Sequence, residues 1–238
     1  TDQADMILGI ALLCGTPFFV VFGALSDKLG RKWIMLVGMM LALLTYKPIY
    51  DAMYTLTDLE QKTEKKKKKI IRDELIPTDN GNIKKTTIER TFTDGTIAKE
   101  IVSSNTEVIP KKDLHGNPIV DQKLSVYLSG MNYFMLVLLI FIQIIYITLV
   151  YGPIAAFLVE IFPVKIRYTS MSLPYHIGNG VFGGLLPAIS TYLAINAEAA
   201  GDPKFYLEGL WYPIVISAVC FFIGAFYINK SIITKNEI

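Results

Sequence analysis

Cysteine, histidine and tryptophan are scarce in this chain, with two of each in 238 residues. Cys14 and Cys220 both fall in apolar stretches and form no CxxC pair. A disulfide framework and a zinc site therefore lack the spacing they need, and both thiols are expected to pack as small hydrophobes. There is no phosphate-cradling glycine loop, so ATP drive has no support. No strand–turn–helix elbow or clustered Ser, His and Asp set supports an enzyme. No metal or cofactor is expected. The N-terminus has no basic n-region and no small-residue cleavage site. Lys and Arg number 23 against 21 Asp and Glu, a balance too even to name nucleic acid as a partner.

Long apolar blocks are abundant. The chain is 52% hydrophobic with a mean hydropathy of +0.42. Five blocks, at about 6–25, 32–50, 129–151, 171–195 and 212–229, are each long enough to cross a hydrocarbon core of about 30 Å. Within a bilayer the backbone must bond to itself, so each is expected to be helical. Pro48 is expected to mark the exit of the second span, with Lys47 snorkelling to the interface. Pro174 and Pro187 predict a kink in the fourth.

Charge orders these spans. Lys28, Arg31 and Lys32, then Lys165 and Arg167, then Lys230 and Lys235 fall on one face. Asp2, Asp5, Glu198 and Glu208 fall on the other. The positive-inside rule then places the basic face and the C-terminus in the cytoplasm, in the inner membrane of a cell, with 51–128 outside. The run Lys65–Lys69 lies on the outer side, which long segments tolerate, and reads as a solvated face. The expected division is 1–50 as two spans, 51–128 as an extracytoplasmic insert, and 129–238 as three spans with a cytoplasmic tail.

The insert has strand character. Residues 86–93 and 96–103 flank Asp94-Gly95 and read as a hairpin with a two-residue turn. That register sets Phe92 opposite Ile97 and Ile88 opposite Ile101. It also sets Arg90 opposite Lys99 and Glu89 opposite Glu100, which is unfavourable. Residues 104–128, with Pro110, Gly116 and Pro118, read as loop.

Two motifs carry the functional signal. The first is the turn Gly23-Ala24-Leu25-Ser26-Asp27-Lys28-Leu29-Gly30-Arg31-Lys32, where Asp27 and Arg31 stand four apart and Gly23 and Gly30 permit close packing or unusual backbone angles. A generic cytoplasmic turn accounts for the bases but not for the aspartate with both glycines. The second motif places Glu160 and Arg167 on either side of Pro163, which predicts a fold-back that pairs them. A carboxylate near hydrocarbon is costly unless paired.

Together with Ser172-Leu173-Pro174-Tyr175-His176-Ile177-Gly178-Asn179-Gly180-Val181-Phe182-Gly183-Gly184, these motifs resemble the C-terminal half of a metabolite:proton symporter of the major facilitator superfamily. The sugar-porter branch is similar in pattern. The resemblance covers about 6–50 and 129–230 and implies an all-α membrane bundle, with these spans as family helices eight to twelve. The chain would then lack an N-terminal half. The resemblance implies alternating access, protons as coupling ion, and a small organic substrate, either a carboxylate or a zwitterion. It makes Asp27, Arg31, Glu160 and Arg167 a cytoplasmic gate, and Lys28 and Lys32 lipid-facing anchors. Mid-span polar groups are the candidate substrate site: Gln143, Tyr146, Tyr175, His176 and Asn179. Helix–helix hydrogen bonding would equally explain any one of these groups, and His176 reads as a proton relay or a neutral structural donor. Gly180 and Gly184 read as a close-packing pair. A rival reading is a membrane-anchored sensor that binds through 51–128.

Overall fold

The computed structural model describes residues 2–60, 62–64, 70–78, 81–105 and 121–226. Lys65–Lys69, residues 106–120 with Pro110, Gly116 and Pro118, and the basic C-terminal tail lie outside the described residues. In chain order the elements are α1 (Asp2–Gly15), α2 (Pro17–Leu29), α3 (Arg31–Thr57), β1 (Ile70–Thr78), β2 (Gly81–Thr91), β3 (Ile97–Asn105) and β4 (Asp121–Tyr127). Then follow α4 (Gly130–Ile161), α5 (Arg167–His176), a π-helical segment (Ile177–Gly183), α6 (Gly184–Ala199), α7 (Phe205–Glu208) and α8 (Trp211–Phe226).

Five helical stretches are long and apolar enough to cross a membrane: Gln3–Leu29, Arg31–Thr57, Gly130–Ile161, Arg167–Ala199 and Phe205–Phe226. This is the composition of a polytopic membrane protein. The first stretch is interrupted at Thr16, and Pro17 opens α2, a position where its missing N–H costs nothing. Two expected boundaries move. α3 runs through Pro48 to Thr57, and α4 runs through Pro153 to Ile161. A proline removes one backbone donor, but continuing the helix keeps the remaining backbone groups paired. Pro163 does end α4, and the Ile166 amide turns back to its carbonyl at 3.1 Å.

The chain divides into two compact units, one of 1–7 with 54–136 and one of 8–53 with 137–238. The first holds an antiparallel meander in the order β1-β2-β3-β4, so the hairpin expected in the insert is the β2–β3 part of a four-stranded sheet. β4 also replaces part of the loop read at 104–128.

The β2–β3 register is shifted by one residue from that expected. Glu89 pairs with Lys99, Arg90 with Ala98, and Ile88 with Glu100. The connection has three residues, not two. The Gly95 amide donates to Phe92 O at 3.1 Å, the Phe92 amide donates to Thr96 O at 2.9 Å, and Gly95 takes φ +84°. This is a turn followed by a left-handed glycine. The slip exchanges like-charge pairs for attractive ones: Lys99 Nζ lies 2.9 Å from Glu89 Oε1, and Arg90 Nη2 lies 3.5 Å from Glu100 Oε2.

Asp94 fixes the turn. It accepts from the Thr96 amide at 2.9 Å and hydroxyl at 2.8 Å, from Lys62 Nζ at 2.8 Å and from Asn132 Nδ2 at 2.7 Å. Burial raises its pKa, but the Lys62 and Thr96 hydrogen bonds prevail and hold the carboxyl down at about 2. In the same unit the Gln3 amide both donates to Leu128 O at 2.6 Å and accepts from Leu128 N at 2.8 Å. Phe92, Thr96, Ala98 and Leu128 are buried here.

In the second unit small residues let helices approach. A Cβ on Gly38 of α3 would stand 2.8 Å from Leu149 Cβ of α4. A Cβ on Gly152 would stand 3.1 Å from Phe19 O and 3.3 Å from Gly23 N of α2. Gly152 is thus the packing glycine, a Cβ on Gly23 itself would stand 4.0 Å from Gly152 O, and Gly30 supplies the positive φ of the turn, +96°. Gly180 and Gly184 would meet nothing within 4 Å. Their expected close packing is not made by any described residue.

Candidate functional site

The turn between α2 and α3 positions the first cluster. Gly30 ends α2, its amide donating to Ser26 O at 2.9 Å, and Arg31 opens α3 one residue later. Arg31 Nη2 lies 2.9 Å from Asp27 Oδ1, while Nη1 reaches Glu160 Oε1 near the end of α4. The guanidinium is 22% exposed, against 61% for Asp27 and 35% for Glu160. The Asp27 contact is therefore the weaker, solvent-screened one. Arg31 Nε is buried and has no partner among the described residues.

The expected Glu160–Arg167 pair is not formed. Arg167 Nε instead donates to Phe162 O at 3.1 Å, capping the chain end of α4. The arginine that answers Glu160 comes from 129 residues earlier, a contact that no local spacing announces. Lys32 is not a lipid-facing anchor. Its Nζ donates to Ala225 O at 3.0 Å, near the end of α8, and lies 5.5 Å from the Trp33 ring.

Further along the helices lie two adjoining cavities that share Tyr46, Ile147, Leu186 and Pro213. The smaller, about 390 Å³, brings together two of the expected residues, Tyr146 and Asn179. Tyr146 OH accepts from Thr45 Oγ1 at 3.1 Å, and Asn179 Oδ1 accepts from Tyr151 OH at 3.1 Å. Asn179 sits in the π-helical segment, and Tyr212 OH donates to Phe182 O of that segment at 3.0 Å. Wider helical turns of this kind are frequent at functional sites. Pro174 and the cluster Gly178, Gly180, Gly183 and Gly184 are the sequence signal for it.

The larger cavity, about 630 Å³, is lined by Gln143. Gln143 Nε2 donates to Met53 Sδ at 3.1 Å. Tyr175 lines a third, smaller cleft of about 190 Å³, which shares Tyr151 and Asn179 with the first cavity. His176 lines none of these three spaces. Its Nδ1 is 2.7 Å from Ser172 O and 3.3 Å from Ser172 Oγ. A ring nitrogen facing a carbonyl must carry the proton, so Nδ1–H donates back along the helix.

Residues the sequence reading passed over line these cavities: Tyr46, Tyr151 and Tyr212 in the smaller, Tyr50, Glu198 and Tyr206 in the larger. Their signal was the repeated tyrosine near span ends, which reads equally as an interfacial belt.

Compared with known proteins, the chain is 36% identical over 81 residues to a protein titled "Putative metabolite transport protein" from Haemophilus influenzae. The match covers 34% of this chain and 16% of that relative, so the chain spans well under two thirds of the relative's length. No family model and no solved structure matches significantly. By its title the relative is a transport protein.

Proposed function

We propose that the five long helices are the C-terminal half of a secondary transporter of the major facilitator type, moving a small organic metabolite, carboxylate or zwitterion, with protons by alternating access. The observation that carries this reading is the Arg31 cluster. One guanidinium joins the α2–α3 turn to the end of α4 through Asp27 and Glu160. Tyr46, which lines both cavities, stands fifteen residues further along α3, roughly 22 Å at 1.5 Å per residue. An ion cluster at one end of the helices and a cavity deeper between them is the arrangement a gated path requires. The basic short loops support a cytoplasmic position for the cluster in this reading, with 51–128 outside. The relative's title supports a transport role.

In this reading Asp27, Arg31 and Glu160 close the inner side and separate as it opens. Tyr146, Asn179 and Gln143 meet substrate, and a preceding half completes the path. The test is uptake of labelled metabolites by membrane vesicles holding the full-length carrier, with and without an imposed pH gradient. Accumulation that follows the gradient, and that Glu160→Gln reduces, is the expected result. Vesicles that accumulate no metabolite above protein-free controls would sink the reading.

A further inference from the structure

The walls of the larger cavity carry an unusual balance of groups. Glu198 is the one charged residue among those lining it, and no lysine or arginine joins it there. Its carboxylate has no ion-pair or hydrogen-bond partner among the described residues. Four aromatic rings also line the space: Tyr46 and Tyr50 from α3, Phe205 and Tyr206 from α7. They come as two near-perpendicular pairs. The Tyr46 and Tyr50 rings are 6.4 Å apart at 81°, and the Phe205 and Tyr206 rings 5.8 Å apart at 84°. Rings at right angles turn their electron-rich faces in different directions, as the walls of a box must.

The cations in the neighbourhood are held elsewhere. Lys204 Nζ lies 3.3 Å from both carboxylate oxygens of Asp51. Asp51 also accepts from Tyr206 OH at 2.5 Å, which fixes that ring. Lys47 Nζ sits 3.9 Å from the centroid of the Trp211 ring and 3.8 Å from Glu208 Oε1. This last contact shows an ammonium already seated on an aromatic face, one helical turn from Tyr50. A carboxylate entering the cavity would meet like charge and no cation on its described walls. An ammonium would meet aromatic rings and a carboxylate, the two groups that recognise it. The volume, about 630 Å³, lies in the range of small-molecule sites.

Resting on the reading that this helical unit handles small organic solutes, we propose that the larger cavity binds the ammonium end of its substrate, seating a cationic or zwitterionic amine against Tyr46, Tyr50, Phe205 and Tyr206 with Glu198 as counter-charge. Within the substrate classes allowed above, this selects the zwitterion over the plain carboxylate.

The experiment is calorimetric titration of the purified full-length carrier in lipid nanodiscs with three probes: choline, its uncharged tert-butyl isostere, and succinate. Saturable choline binding is expected, with the isostere weaker by about tenfold, between the exposed and the desolvated values of a cation–π contact, and succinate weaker still. Glu198→Gln and Phe205→Leu should each weaken choline several-fold and leave the isostere unchanged, whereas Phe205→Trp, which keeps a ring, should restore choline binding. Equal affinity for choline and its isostere, preference for succinate, or saturable binding of none of the three overturns the assignment. Transport is scored separately in vesicles. Gradient-driven uptake without choline binding removes only the ammonium site, and choline binding without uptake removes only the carrier reading.

Discussion

Arg31 holds Glu160 across 129 residues of sequence, and the same guanidinium holds Asp27 four residues away. The two contacts are unequal. An i, i+4 pair with one partner largely in solvent contributes about 0.3–0.5 kcal/mol. A charge-assisted hydrogen bond between partly buried groups contributes about 1.5–3 kcal/mol.

Glu160→Gln should therefore loosen this end of the helices more than Asp27→Asn. In the proposed carrier, a reporter cysteine at Thr169 should react faster with an impermeant thiol reagent by roughly tenfold in the first variant, following about 1.4 kcal/mol. The second variant should give at most about twofold. Equal effects would show that Asp27 carries as much of the closure as Glu160.

The topology is tested by labelling from the two sides. The native Cys14 and Cys220 are exposed thiols and are first replaced by serine. Single cysteines at Lys28 and at Glu60 should then label from opposite faces of sealed vesicles. Reaction of both from one face would contradict the orientation drawn from the basic loops.

The sheet register is tested by exchanging charges. Glu89→Lys or Lys99→Glu alone sets like charges opposite one another and should cost about 0.2–1 kcal/mol, and the double exchange should recover most of it. Amide exchange of β2 and β3 reports the outcome. In the two-residue-turn register the double exchange would restore nothing, because Glu89 would face Glu100.

Acid should loosen the same unit late. The Asp94 carboxyl is depressed in the folded state, to about 2. Its contribution is complete above the unfolded value near 3.9 and is lost as pH falls through the folded value. Exchange protection around 92–96 should therefore persist at pH ~4 and fail towards pH ~2. Asp94→Asn should abolish that dependence and lower protection already at neutral pH.

Helix packing offers a contrast between two glycines. Gly38→Leu drives a side chain into Leu149 and Val150 of α4 and should cost about 1–3 kcal/mol or more, read as a lower melting temperature in detergent. Gly180→Ala meets nothing within 4 Å and should leave that temperature unchanged. A destabilised Gly180→Ala would reveal a packing partner beyond the described residues.

His176 donates to the Ser172 carbonyl and lines none of the three cavities described, so we expect a structural donor. His176→Gln, which can still donate, should keep uptake unchanged across pH ~5–8, the window in which histidine titrates. A shifted pH profile would restore the relay.

The five spans were legible in the residues alone, because each is an apolar run of the length that crosses a hydrocarbon core, and no contact is needed to see that. The sequence also marked the Asp27–Arg31 turn, the stop at Pro163 and the polar positions Tyr146 and Asn179, all of which are local. It misplaced whatever depends on a partner far along the chain. The span end at Pro48 was read from a rule about single residues, whereas α3 continues through it to Thr57. The hairpin slipped by one because its register is fixed jointly by Lys62, Thr96 and Asn132 gathering on Asp94 and by charges on facing strands. It took the packed helices to show that Glu160 answers Arg31 and not Arg167, that Lys32 caps α8, and that Tyr46, Tyr50, Phe205 and Tyr206 share one cavity. The reason is geometric: hydropathy is a property of a segment, but a charge pair or a cavity wall is a property of two segments, and its members carry no mark of each other until the helices are packed.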